Sequence, residues 1–338
     1  MDELLKHLKQ PSGVLKIPVK THELMFWLRA TTVLLTLLLG SAAHSDDSYS
    51  ITYVLGGPSA IYQQLSHQIT RNLKQKFRSI EIHSVDLSNA GKLNRKLLSD
   101  NNQHNLVVAI GSNAHAFLEQ LGDRSNQLAI LVPKRVGSGK NRSYIYLDQP
   151  IERFVAAIKQ AFPHAKTVGL AAGPESQPLV PELEKKLLQN GLNLYAAYVP
   201  SKSQLSLALE KVLKNSDVLL ALPDSMIFDA RVSQMVMLST YHHRKPLVGF
   251  SKAYVRAGAT LAIYSSLEQI VTQSSKKIIS ILSGKPKLPN SSDPDNFYIA
   301  VNYRVAQSLG LRLPKSENLL KAVKSQLAQR LVATRPIE

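Results

Sequence analysis

Residues 217–264 read DVLLALPDSMIFDARVSQMVMLSTYHHRKPLVGFSKAYVRAGATLAIY, and this stretch decides the fold. Val218 to Leu222 is an apolar run too short for a helix and is ended by Pro223, so it reads as a buried strand. Asp224 and Ser225 supply N-cap chemistry for a helix whose apolar positions include Ile227, Val232, Met235, Val236 and Leu238. A second buried strand, Pro246 to Phe250, a polar turn at Ser251-Lys252 and a third apolar run, Thr260 to Tyr264, follow. Strand, helix, strand is a βαβ unit, which puts Asp224 and Ser251 on the same edge of a parallel sheet. Ligands of open α/β sheets sit at that edge.

Outward from this unit the same alternation continues. Strands are expected at Ile51–Leu55, Ile80–Val85, Leu106–Ile110, Leu128–Val132, Tyr144–Leu147, Val168–Ala171, Leu194–Val199 and Phe297–Val301. Helical segments are expected between them at Ile61–Phe77, Ile151–Phe162, Leu179–Asn190, Gln204–Leu213 and Leu267–Leu282. So many strands exceed one comfortable open sheet, so the expected fold is α/β with two doubly wound parallel-sheet lobes joined by a hinge. The boundary falls near Leu147-Asp148-Gln149-Pro150. Lys285–Asn296, with Pro286, Pro289 and Pro294, reads as a linker, and Glu317–Val332 as an amphipathic helix packed on the second lobe.

Several short motifs in order resemble the solute-binding proteins of the ABC-transporter family that includes tryptophan- and tyrosine-type importers. They are Asp217 with Pro223-Asp224, Lys245-Pro246-Leu247-Val248-Gly249-Phe250, Ala257-Gly258-Ala259, and Asn302, Ala306 and Leu309-Gly310-Leu311. The resemblance covers about Asn105 to Pro314. It implies a periplasmic-binding-protein-like fold of type I whose chain crosses between lobes three times. On that pattern the first lobe takes 46–148 plus 255–287 and the second 149–254 plus 288–330, with 317–338 as C-terminal helix and tail. It also implies a non-enzymatic function: capture of an amino-acid-like small molecule by a protein, expected to be a monomer, that closes on it and delivers it to a membrane permease. A sensory or accessory protein of the same fold, reporting to a receptor or kinase, is the alternative.

Candidate contacts lie in loops after strands. Ile110-Gly111-Ser112-Asn113-Ala114 is similar to the family's Gly-Thr-x-Ala loop, which implicates Ser112 and Asn113. Asp224 either pairs with a ligand ammonium or hydroxyl or caps its helix; Ser176, Ser251 and Lys252 are further candidates. Where the family commonly carries Asp-Pro-Val and a glycine, this chain has Pro133-Lys134-Arg135-Val136-Gly137. Those two cations favour an anionic solute if they face the cleft; the other reading is exposed loop cations. Tyr53, Tyr62 and Tyr254 either stack on an aromatic ligand or pack in the core.

Composition bounds the rest. The 338 residues are 44% hydrophobic and 19% charged, as in a globular chain, and contain no cysteine, which excludes disulfides, thiolate chemistry and a lipoprotein anchor. Leu28–Gly40 is too short to span a bilayer comfortably and, with Ala43-His44-Ser45 after it, is expected to be a signal peptide cut before Asp46, placing the protein in the periplasm. A retained membrane anchor is the alternative. Met25 starts a better-proportioned signal than Met1, so translation is expected to begin there. Without the five basic and three acidic residues before Asp46, 36 basic and 21 acidic residues give a charge of +15. No nucleic-acid module accompanies that charge, so a solvated basic surface is expected. No nucleophile elbow, P-loop or dinucleotide fingerprint is present, and His242-His243 beside Arg244 is a poor metal motif, so neither cofactor nor metal is expected.

Overall fold

The computed structural model describes residues 49–88, 105–122, 126–134, 141–227, 230–283, 288 and 290–333. The expected signal peptide, the start at Met25, and Arg135 lie outside them.

The first lobe is a five-stranded parallel sheet in the order β2-β1-β3-β4-β5. Its strands are β1 (Tyr49–Leu55), β2 (Ile80–Asp86), β3 (Asn105–Ile110), β4 (Asn126–Val132) and β5 (Arg142–Tyr146). Both faces of the central strands are covered, which is why β1, β3 and β4 are near-continuous apolar runs, while the edge strand β2, Ile-Glu-Ile-His-Ser-Val-Asp, is only partly buried. Along β3, Leu106, Val108 and Ile110 face helix α1 (Ala60–Lys76), while Val107 and Ala109 face α2 (Ser112–Gln120).

The second lobe is a six-stranded sheet in the order β11-β10-β9-β8-β6-β7. It comprises β6 (Thr167–Ala172), β7 (Asn193–Tyr198), β8 (Val218–Leu220), β9 (Leu247–Gly249), β10 (Leu261–Tyr264) and β11 (Tyr298–Val301). Helices α3 (Ile151–Ala161) and α4 (Val180–Leu188) pack on one face through Phe154, Ile158, Leu183 and Leu187. On the other face lie α5 (Leu205–Lys214), α6 (Ala230–His242) and α7 (Lys252–Ala257), through Leu213, Val236 and Tyr254. β11 is antiparallel to β10, a departure from the all-parallel expectation at one edge.

Two crossings follow from where apolar faces find partners. α8 (Leu267–Leu282) leaves the second sheet and buries Ile270, Val271 and Ile278 against α1 and the first sheet. The chain returns through residues 290–297, where Ser292 bridges to Ile145 at the β5 edge, and α9 (Tyr303–Ser308) follows β11. α10 (Ser316–Ala333) then buries Leu319 and Val323 in the α3 core. The expected boundary at 254/255 is therefore corrected: β10 pairs with β9 and β11, so residues 255–264 belong to the second lobe and the crossing follows Tyr264.

Candidate functional site: an interlobe cavity and its hinge

A cavity of about 330 Å³ opens where the carboxyl ends of the two sheets meet. Ile61 of α1, Leu131 of β4, and Leu267 and Ile270 of α8 line it from the first lobe. Pro223, Phe250, Ser251 and Tyr264 line it from the second, and Leu147, Gln149 and Ser265 from the crossings. An enclosed space with mainly apolar walls and a few hydroxyl and amide groups is what a small-molecule site offers, and this volume is at the small end of the usual range. Ser251 caps α7 by accepting the Tyr254 N–H at 3.2 Å. Burial pushes the Tyr264 phenol up, and the neighbouring Tyr298 adds to the shift.

Asp224 follows β8 as the sequence indicates, but its carboxylate turns inward and is 3% exposed. Oδ2 accepts the N–H groups of Glu175 (3.0 Å) and Ser176 (2.9 Å) and the Ser176 hydroxyl (2.9 Å), while Oδ1 accepts Met226 N–H at 3.1 Å. Ser176, fully buried, accepts Gly173 N–H in turn. Glu175 reciprocates by accepting both the N–H and the hydroxyl of Ser225. Gly173 is required here because a Cβ would meet both Asp224 carboxylate oxygens at 2.6 Å. Of the two roles expected for Asp224, ligand pairing or capping, the contacts present are internal: the carboxylate ties the loop after β6 to the residues after β8, with Ser176 part of the same lock. A carboxylate with four internal donors has little acceptor capacity left.

The remaining candidates separate. Ser112 and Lys252 are exposed first residues of α2 and α7. Asn113, the second residue of α2, donates its amide to Gly56 O at 3.2 Å, tying the start of α2 to the loop after β1. Of the six expected contacts, Ser251 lines the cavity. Tyr53 is buried among the first lobe's core residues, with its phenol pushed up to about 12 by burial, and Tyr254 shares a 2.8 Å hydrogen bond with Ser233. Gly111 leaves room for the Tyr62 hydroxyl, which a Cβ would meet at 2.6 Å. Lys134 turns to the hinge: its ammonium pairs with Asp293 at 3.2 Å and its N–H donates to Asp148 at 2.6 Å. Burial lowers the Lys134 pKa, but the charge and hydrogen bond of Asp293 outweigh it, and the net shift is upward.

Sequence reasoning missed the hinge network. Gln149, on the first crossing, donates to the Ser265 hydroxyl on the second at 2.8 Å. Ser265 donates to Asn296 O on the third at 2.6 Å. Arg153 bonds Gln149 Oε1 and Pro294 O, both at 2.7 Å, and lies over the Phe297 ring. At the first sheet's edge, the Lys277 ammonium donates to Tyr144 O, Asn290 O and Ser292 Oγ. Burial pulls its pKa down to about 8, against the opposing charge of Asp295. The expected boundary at Leu147–Pro150 pointed to Gln149's position; side-chain bonds to residues more than a hundred positions away leave no sequence signature.

Two α/β lobes, joined by three crossings and enclosing a cavity at their strand ends, define a binding protein of the periplasmic type. The family described as ABC transporter substrate binding protein matches residues 127–326, more than half of the chain, and the chain belongs to that family. Solved structures agree on the fold. An ABC domain from Streptococcus pneumonia in complex with L-Trp is 19% identical, covering 82% of this chain and 98% of its own, with a TM-score of 0.61. A ligand-free, open substrate binding protein with adhesive properties from Clostridium difficile is 18% identical, covering 80% and 97%, with a TM-score of 0.68. A conserved domain protein from Vibrio cholerae is 20% identical, covering 82% and 98%, with a TM-score of 0.60. No curated protein matches the chain in sequence.

Proposed function

We propose that the protein is the exported solute-binding component of an ABC importer, capturing a small molecule between its lobes by hinge closure and passing it to a membrane permease. The cavity carries this reading: its walls come from both lobes and from the crossings, so a change in lobe angle changes its shape. The three-way Gln149–Ser265–Asn296 contact supports a defined hinge. Ser251 is the polar contact proposed for the solute from the second lobe; Ser112 and Lys252 are exposed at helix starts and do not line the cavity. Binding is non-covalent, the protein acts as a monomer outside the cytoplasm, and no catalytic residue is assigned. The apolar walls favour an amino acid with a large side chain, or another solute with an apolar body, over a small anion, since Lys134 is engaged by Asp293.

A thermal-shift screen of amino acids, their derivatives and small heterocycles tests this, because a solute bound only by the folded form raises Tm with its concentration. A hit should narrow the particle in small-angle scattering, as closure requires. Failure of every solute to shift Tm, or a saturable hit without compaction, refutes capture by closure.

A further inference from the structure

We infer that Leu131 is a specificity-determining residue of the interlobe cavity, placed there by a defect in β4 so that the cavity selects solutes whose buried part is apolar. The inference rests on reading this cavity as the solute site. In β4, Leu128 and Ile130 belong to the core beneath α1 and α8, and Ala129 to the core beneath α2. Strict alternation would send Leu131 under α2 and Val132 under α1. The register breaks instead: Ile130 pairs with Ile145 and Val132 with Tyr146, leaving Leu131 outside the ladder. Val132 takes the place under α2, beside Ala129, Leu118 and Tyr144.

Leu131 has φ 59, in the left-handed region, where a γ-branched side chain is disfavoured and glycine or asparagine is the ordinary occupant. The bulge brings its partly buried side chain to the cavity wall beside Ile61 and Ile270, in a space shared with Phe250 and Tyr264. A bulge that re-aims one side chain, held at a backbone conformation unfavourable for that side chain, is a recurrent device at binding sites. The bulge itself does not need leucine; the apolar wall does.

N-phenyl-1-naphthylamine, a neutral fluorophore that brightens in apolar surroundings, tests the assignment by titration into the purified protein. Leu131→Asn and Leu131→Gly both suit the backbone and remove the apolar surface, and Leu238→Asn, on an exposed position of α6, is the control. Saturable binding at one site is expected, weakened roughly tenfold or more in both Leu131 variants and unchanged in the control. The ligand-free Tm of Leu131→Gly reports folding separately. Affinity within twofold of wild type in both Leu131 variants, with Phe250→Asn weakening it, overturns the role of Leu131 and keeps the cavity as the site. No binding to the wild-type protein overturns the apolar selection, while a polar solute found by the thermal-shift screen would keep the capture function.

Discussion

Replacing Asp224 by alanine distinguishes a structural lock from a ligand contact. The substitution removes the acceptor of two fully buried Ser176 donors, its N–H and its hydroxyl, and of the part-buried N–H groups of Glu175 and Met226. An orphaned buried donor costs about 1–3 kcal/mol, and the Ser176 hydroxyl can partly recover by turning, so a net loss of roughly 3–4 kcal/mol is expected. For a chain of this size that corresponds to a fall in Tm on the order of 5–10 °C. Asp224→Asn keeps one carbonyl for the three donors on Oδ2 but sets an amide N–H₂ against Met226 N–H, for a loss of about 1–2 kcal/mol. Gly173→Ala should act like a weaker Asp224→Ala, because the new methyl displaces the same carboxylate. Equilibrium urea unfolding followed by circular dichroism measures all three. A loss below about 1 kcal/mol for Asp224→Ala, or the alanine variant no less stable than the asparagine variant, would refute the lock.

Other consequences concern the hinge. Lys277 has a folded pKa near 8 against about 10.4 when unfolded, so between those values the unfolded chain holds a proton that the folded one has released, and its contribution to stability rises with pH. The stability difference between wild type and Lys277→Met should therefore move in favour of wild type from pH 8 to 10; a flat or falling difference contradicts the burial of this ammonium. Ser265→Ala leaves the Gln149 amide and Asn296 carbonyl without their shared partner, and about 1 kcal/mol of stability should be lost, with a larger scattering radius in the absence of solute if the contact restrains opening. The Lys134–Asp293 pair is half exposed on the lysine side, so a double-mutant cycle with Lys134→Met and Asp293→Asn should give a coupling below about 1 kcal/mol that weakens further in salt.

The eleven strands of the described residues overlap the expected runs: central strands buried on both faces leave short apolar runs, as Leu106–Ile110 and Val168–Ala171 do, while the more exposed edge strands β2 and β7 show through their alternating or aromatic residues. The sheet to which a run belongs is less legible: nothing in Thr260–Tyr264 tells a strand beside β9 from one in the first sheet, and the second crossing is misplaced for that reason. α7 has six residues and α2 buries only Ala114, His115 and Leu118, so neither displays enough periodicity to announce a helix. At the site, the position of Asp224 could be read but its direction could not. A capping aspartate and a ligand-binding aspartate share the same local sequence, and the donors that capture this one come from residues 175 and 176. The Leu131 bulge is invisible for the same reason, since it exists only relative to β5.

The exchange of α8 between lobes bears on how the cavity can respond to a solute. α8 carries Leu267 and Ile270 into the cavity wall while its remaining apolar face, with Ile278 and Leu282, is fixed in the first lobe's core; Tyr264, three residues earlier, is a strand residue of the second lobe. Ser265 and Ser266 are thus the only residues between two rigidly packed elements, and Ser266 is already held by its capping box with Gln269. Rotation at this crossing is left to the backbone about Ser265, the residue whose hydroxyl joins the other two crossings. The proposed closure, if it keeps those bonds, pivots close to Ser265, and the wall residues on either side of it, Tyr264 and Leu267, change separation least while the far walls of the cavity move most. On the proposed closure, a solute that changes side-chain packing next to the pivot acts on a short lever arm, so a small displacement there corresponds to a large change in the angle between the lobes.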